Sequence, residues 1–184
     1  MEGFAAHPSF GWKHQKTLLC ANSLACALRG MGRLDEAILY MEQVLAGYKV
    51  AFGVHHPHTI IFYETLAKML EMTGELVYAA QLRRERYEAL AATLPGGVGH
   101  QGEGMVALAE CGRVTRRIAS RMEEGDAMVQ FAIDTLTAPP FSLEERAPTV
   151  LVELATFFER APQSEADAAA GAAKTAARRA ELAR

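Results

Sequence analysis

Apolar residues recur along this chain at spacings of three and four, the signature of amphipathic helices. Lys16 to Gly30 reads as a first helix, with Leu18, Leu24, Ala25 and Leu28 on one face. Gly32 breaks it. Asp35 and Glu36 open a second helix, where negative charge suits the positive end of the helix dipole. Its stripe is Ala37, Tyr40, Met41, Val44, Leu45 and Tyr48, and Gly53 ends it. Pro57 falls where a first turn tolerates it. Thr59 to Thr73 is predicted as the third helix, with Ile60, Phe62, Tyr63, Leu66, Ala67 and Leu70 apolar. Glu75 to Leu94 is the fourth, with Leu76, Ala79, Leu82, Tyr87 and Leu90 inward. Its charged run, Arg83 to Glu88, reads as a solvated surface of mixed sign.

Two halves of this stretch are one pattern written twice. His14, Thr17, Leu18, Leu24-Ala25, Leu28, Gly32, Leu34 and Ala37 recur 42 residues later as His56, Thr59, Ile60, Leu66-Ala67, Leu70, Gly74, Leu76 and Ala79. A fixed period of this size signals stacked helical units. The register lapses in the glycine-rich loop from Pro95 to Gly104. Helices are then expected over Met105–Met122 and, after a turn at Gly125, over Ala127–Thr137, with Met128, Phe131, Ala132 and Leu136 inward. Ser142 and Glu145 form a capping box for a further helix to about Arg160. The expected organisation is an irregular lead-in over 1–13, repeats over 14–53 and 56–94, a degenerate third unit over 105–137, a capping helix over 142–160, and an alanine-rich helix or tail over 163–184. The fold class is all-α.

Composition narrows the function. Half of the 184 residues are hydrophobic and the formal net charge is -3, which argues for a globular chain and against a nucleic-acid binder. No run of 18 apolar residues predicts a membrane span, and the first ten residues lack the pattern of a secretory signal. Cys20, Cys26 and Cys111 have no zinc spacing and fit reduced thiols, so a cytoplasmic or nuclear setting is expected.

No residue group points to chemistry. His55, His56 and His58 lie too close in one loop to close a metal site. Cys20 and Cys111 sit among apolar helical neighbours and read as packing residues rather than nucleophiles. The glycines of Gly96 to Gly104 lack the Gly-Lys-Ser/Thr of a phosphate loop. Arg113, Arg116, Arg117 and Arg121 form a basic stripe, suited either to an acidic partner or, as the preferred reading, to pairing with Glu110, Glu123 and Glu124. No catalytic residue, metal or cofactor is expected.

The Gly-x-x-x-x-Ala turns (Gly32 to Ala37, Gly74 to Ala79) resemble those of tetratricopeptide repeats. The longer 42-residue unit with His56-Pro57-His58-Thr59 resembles the kinesin light chain type. Gln15 to Ser120 also resembles the C-terminal helical domain of SET- and MYND-domain lysine methyltransferases. The similar residues are Gly32-Arg33-Leu34-Asp35-Glu36-Ala37, Tyr40, Gly47-Tyr48, Phe52, His56-Pro57, Gly74, Ala79, Gly99-His100 and Leu108-Ala109-Glu110-Cys111. The SET core and cysteine-rich module of that family have no counterpart here, so the resemblance implies a helical arm without the enzyme, or the arm of a longer methyltransferase. These likenesses imply protein–protein interaction, as a methyltransferase-type arm or as a kinesin-light-chain-like adaptor. They imply a peptide groove lined by the first helix of each pair, at Lys16, Leu19, Ser23 and Ala27 and at His58, Phe62, Thr65 and Met69. Ser23 and Thr65 stand where kinesin light chain repeats usually carry Asn. The expected partners are a protein or peptide, such as a chaperone tail or a methyltransferase substrate. The chain's own C-terminal helices are the competing occupant of that groove.

Overall fold

The computed structural model describes residues 14–93 and 102–137, together with helical residues at 169–171, 173, 174, 176, 177 and 180. The lead-in, most of the glycine-rich loop and the capping-box helix lie outside the described residues. Six α-helices follow one another: α1 (Gln15–Gly30), α2 (Leu34–Phe52), α3 (Pro57–Thr73), α4 (Leu76–Thr93), α5 (Gly102–Arg116) and α6 (Met122–Thr137), with a 3-10 turn (Ala119–Arg121) before the last. Each helix packs on the next in sequence, so three helix hairpins stack into a tetratricopeptide-like array.

The 42-residue period has a bond-by-bond cause. His14 and His56 are the N-caps of α1 and α3. Each imidazole Nδ1 accepts the backbone N–H two residues on, from Lys16 and His58, at 3.2 Å. Imidazole thus does the work usually given to Ser, Thr, Asp or Asn. Thr59 Oγ1 donates to the Gly53 carbonyl at 2.9 Å, which ties the end of α2 to the start of α3. At the hairpin turns, Gly32 (φ 76°) and Gly74 (φ 82°) take the positive φ that other residues avoid. Arg33 N–H then reaches back to the Leu28 carbonyl, and Glu75 N–H to that of Leu70. Such a reach-back satisfies carbonyls that the helix end leaves without partners.

Burial follows the predicted stripes through the first four helices. Leu18, Ala25, Met41, Tyr48, Tyr63, Leu66 and Leu70 form the centre of one continuous core that reaches Val114 and Ile118. Lys49 of α2 crosses this layer to Glu85 of α4 at 2.7 Å and lies 4.6 Å from the Tyr63 ring centroid.

Two expectations fail here. The charged run of α4 is not a solvated face, because Arg83 and Arg86 are buried. Helix α4 is covered by both α3 and α5, so no broad outer face remains for those arginines. The third hairpin also differs from its predicted bounds. Helix α5 starts inside the glycine run, at Gly102, and stops at Arg116, while α6 starts at Met122. Gly125 is therefore helical rather than a turn. A Cβ on Gly112 would sit 2.7 Å from the Gly125 carbonyl oxygen, and one on Gly125 would sit 2.4 Å from the Arg116 nitrogen. The two glycines let the α5 and α6 backbones touch. That contact sets the phase of α6, burying Val129 and Ala132 and turning Phe131 outward.

A methyl group at Gly112 has no space, whereas one at Gly30 meets nothing within 4 Å. Gly112→Ala is expected to destabilise the chain by about 1–3 kcal/mol through overpacking. Gly30→Ala should be neutral or stabilising by up to about 1 kcal/mol. Chemical denaturation of both variants, followed by circular dichroism, checks the contrast.

Candidate functional site

Two surfaces on the first helices of the hairpins carry the candidate site. The first is the exposed strip of α1 and α3. Lys16, Leu19, Ser23 and Ala27 are all exposed on α1. On α3, His58 is exposed and Thr65 is half-buried, but Phe62 and Met69 belong to the packed interior. The exposed counterpart of Leu19 is Ile61, and these two are 40% and 54% exposed. Lys68 and Met72 continue the strip. Ile61 was legible from the period, since it lies 42 residues after Leu19. Met69 is buried although its counterpart Ala27 is not, and it belongs to the continuous core.

Ser23 and Thr65 are treated alike. Ser23 Oγ donates to the Leu19 carbonyl at 3.1 Å, and Thr65 Oγ1 to the Ile61 carbonyl at 3.0 Å. Their protons are used within their own helices, but the hydroxyl oxygens can still accept. Each repeat therefore offers one aliphatic side chain and one hydroxyl acceptor at the same register.

The second surface is a charged cluster where α3, α4 and α5 meet. Arg83 of α4, 1% exposed, donates to Glu71 of α3 through Nε (2.8 Å) and Nη2 (2.6 Å), and to Glu110 of α5 through Nη1 (2.8 Å). Arg86 bridges Glu110 and Glu64, both at 3.1 Å. Arg113 of α5 and Arg117, in the turn just after it, reach Glu71 at 2.8 and 3.8 Å. Burial opposes the charged form of Arg83, but Glu71 and Glu110 outweigh it and raise the guanidinium pKa. Burial also pushes the Glu64 carboxyl up, yet the Lys68 hydrogen bond and the Arg86 charge hold it below the usual carboxylate value.

The four arginines expected to form one stripe are divided between two jobs. Arg113 and Arg117 turn to α3, while Arg116 pairs with Asp126 at 2.6 Å and Arg121 with Glu124 at 2.7 Å. Arg121 lies in the 3-10 turn, not on α5, because the helix stops at Arg116. Of the expected carboxylates Glu124 pairs with Arg121, and Arg84 of α4 also reaches it. Glu110 serves Arg83 and Arg86 instead.

The remaining candidates are structural or isolated. Cys111 is buried, its thiol 3.7 Å from the Ala80 carbonyl, and burial pushes its pKa up, away from the thiolate. Cys20 is exposed, contrary to its expected packing role, since nothing described covers that side of α1. His56 caps α3 and stacks in an aromatic group with Tyr48, Phe52 and His58. Among the described residues no group of His, Cys, Asp or Glu is placed to hold a metal, and no helix is long and apolar enough to cross a membrane.

Comparison with known proteins agrees with this geometry. Residues 17–58 match the family model for the tetratricopeptide repeat. No curated protein sequence matches the chain. Among solved structures, that of kinesin light chain nearly identical TPR-like repeats from Podosopora anserina is similar in fold, with a TM-score of 0.66 and 20% identity over 94% of this chain and 79% of that one. The protein is thus a helical-repeat module with a tetratricopeptide-like fold, an architecture that serves protein–protein interaction. Neither match carries the finer likeness to the SET/MYND methyltransferase arm.

Removing Arg83 leaves two carboxylates short of their buried counter-charge. Arg83→Met is expected to cost about 3–5 kcal/mol, measured by urea denaturation. Acid acts on the same cluster. Because the Glu64 pKa is lowered on folding, its contribution is present above the unfolded carboxylate pKa of about 4.3 and is lost as pH falls through the lower folded value. Denaturation midpoints taken from pH 7 to 3 should fall in that acid range, with a shallower fall in Glu64→Gln.

Proposed function

We propose that this chain is a protein-binding scaffold, an adaptor of the kinesin light chain kind, which takes an extended peptide across α1 and α3. The observation that carries this reading is the repeated pair of Leu19 with Ser23 and Ile61 with Thr65 on successive first helices, the first three exposed and Thr65 half-buried. Aliphatic side chains spaced by the repeat give apolar contacts, and the hydroxyl oxygens accept a peptide N–H between them. Lys16 adds positive charge at one edge of the strip, while Lys68 is paired with Glu64. The binding work rests on shape and contact, with no covalent step.

A resemblance to the methyltransferase arm supports a second protein-binding role less well. Its shared residues include Gly32, Gly74, His56 and Pro57, which here turn and cap helices. Such residues mark how units stack rather than what they hold.

Peptides selected from a random library against the full chain provide the test. Ser23→Arg with Thr65→Arg should weaken a selected peptide at least about tenfold, equivalent to about 1.4 kcal/mol, in fluorescence anisotropy. Ala46→Arg, on the exposed side of α2, should leave it unchanged. Equal binding by wild type and the double variant would place the ligand elsewhere.

A further inference from the structure

The alanine-rich segment near the C-terminus reads from sequence as an exposed helix or a tail. Its described residues are helical, and Ala169, Ala170, Ala173 and Lys174 are exposed. Gly171 between them is buried. A Cβ built on Gly171 would lie 2.9 Å from the Gly74 carbonyl oxygen and 3.2 Å from the Glu75 Cα. The backbone of this segment therefore rests directly on the turn between α3 and α4.

The two repeats supply an internal comparison. Their turns share the same backbone hydrogen bonds, from Arg33 to Leu28 and from Glu75 to Leu70. Cover differs. In the first repeat Gly32 and Arg33 are exposed and Leu34 is half-buried. In the second, Glu75 and Leu76 are each 1% exposed. The Thr73 hydroxyl donates to the Glu75 carboxylate at 2.9 Å, holding it within the turn.

We propose that the C-terminal helix is a latch, seated by Gly171 on the Gly74–Glu75 turn and tying the end of the chain to the second repeat. Glycine is a poor helix residue beside alanine. In a run of alanines its use is backbone approach, which any Cβ would prevent. The seat is small and the residues around Gly171 face solvent, so the latch opens without unfolding the array. Its seat, at Gly171, is the turn and not the face of Ile61 and Thr65.

Hydrogen–deuterium exchange on the full chain tests this through the sign of one substitution. In a free helix, Gly171→Ala raises helix propensity and slows exchange over residues 169–177. In a seated helix, the added methyl meets the Gly74 carbonyl and opens the latch. The latch predicts exchange about tenfold faster at 169–177, together with faster exchange at 74–76, while α1 and α2 keep wild-type rates. Ala173→Leu, on the exposed side, should match wild type at both segments. Slower or unchanged exchange at 169–177 in Gly171→Ala, or unchanged exchange at 74–76, overturns the latch.

Discussion

The array depends on one buried cation. Arg83 is 1% exposed and is held by Glu71 on one side and Glu110 on the other. An unpaired guanidinium at that depth is untenable, and each carboxylate comes from a different helix. Satisfying it fixes how α3, α4 and α5 meet, and so joins the regular second repeat to the irregular third. A buried ion pair contributes little net stability compared with apolar packing. Its consequence here is register: Glu71 also receives Arg113 and Arg117, and sliding α5 by a turn would break those bonds together.

The first two units obey a shared local chemistry, while the third obeys a different constraint. Histidine caps, a threonine bridge and positive-φ glycines close the first hairpins in ways that need only nearby residues. Helices α5 and α6 are joined instead by a 3-10 turn and by glycine-on-glycine contact. Close approach of two backbones forbids side chains at that crossing. The second half of the array adds charge and backbone contact to apolar packing by Met105, Leu108, Val129 and Ala132.

Function follows from what this stacking leaves uncovered. Among the described residues the strip of Leu19, Ser23 and Ile61 is exposed, with Thr65 half-buried beside it, away from the core that α1 and α3 share with α2 and α4. Beyond α3 the surface changes character, since carboxylates and arginines neutralise one another across the α3–α5 gap. An aliphatic and hydroxylic stretch thus lies beside a charged one. The similarity to kinesin-light-chain-type repeats is a similarity of fold at 20% identity.

The sequence by itself determined the first four helices, their period, the turns at Gly32 and Gly74 and most of their core. These follow from local preferences: spacing of apolar residues, glycine at positive φ, and proline in a first turn. It also showed Lys16, Leu19 and Ser23 as a solvent-facing row. Tertiary structure decided where covering helices come from. A stripe at helical spacing says which face is apolar, not how many neighbours surround it. So Phe62 and Met69 went inside, Arg83 and Arg86 were buried rather than solvated, and Arg113 and Arg117 parted from Arg116 and Arg121. The burial of Arg83 and the turn of Arg113 and Arg117 to α3 depend on residues tens of positions away, through contacts that no local period encodes.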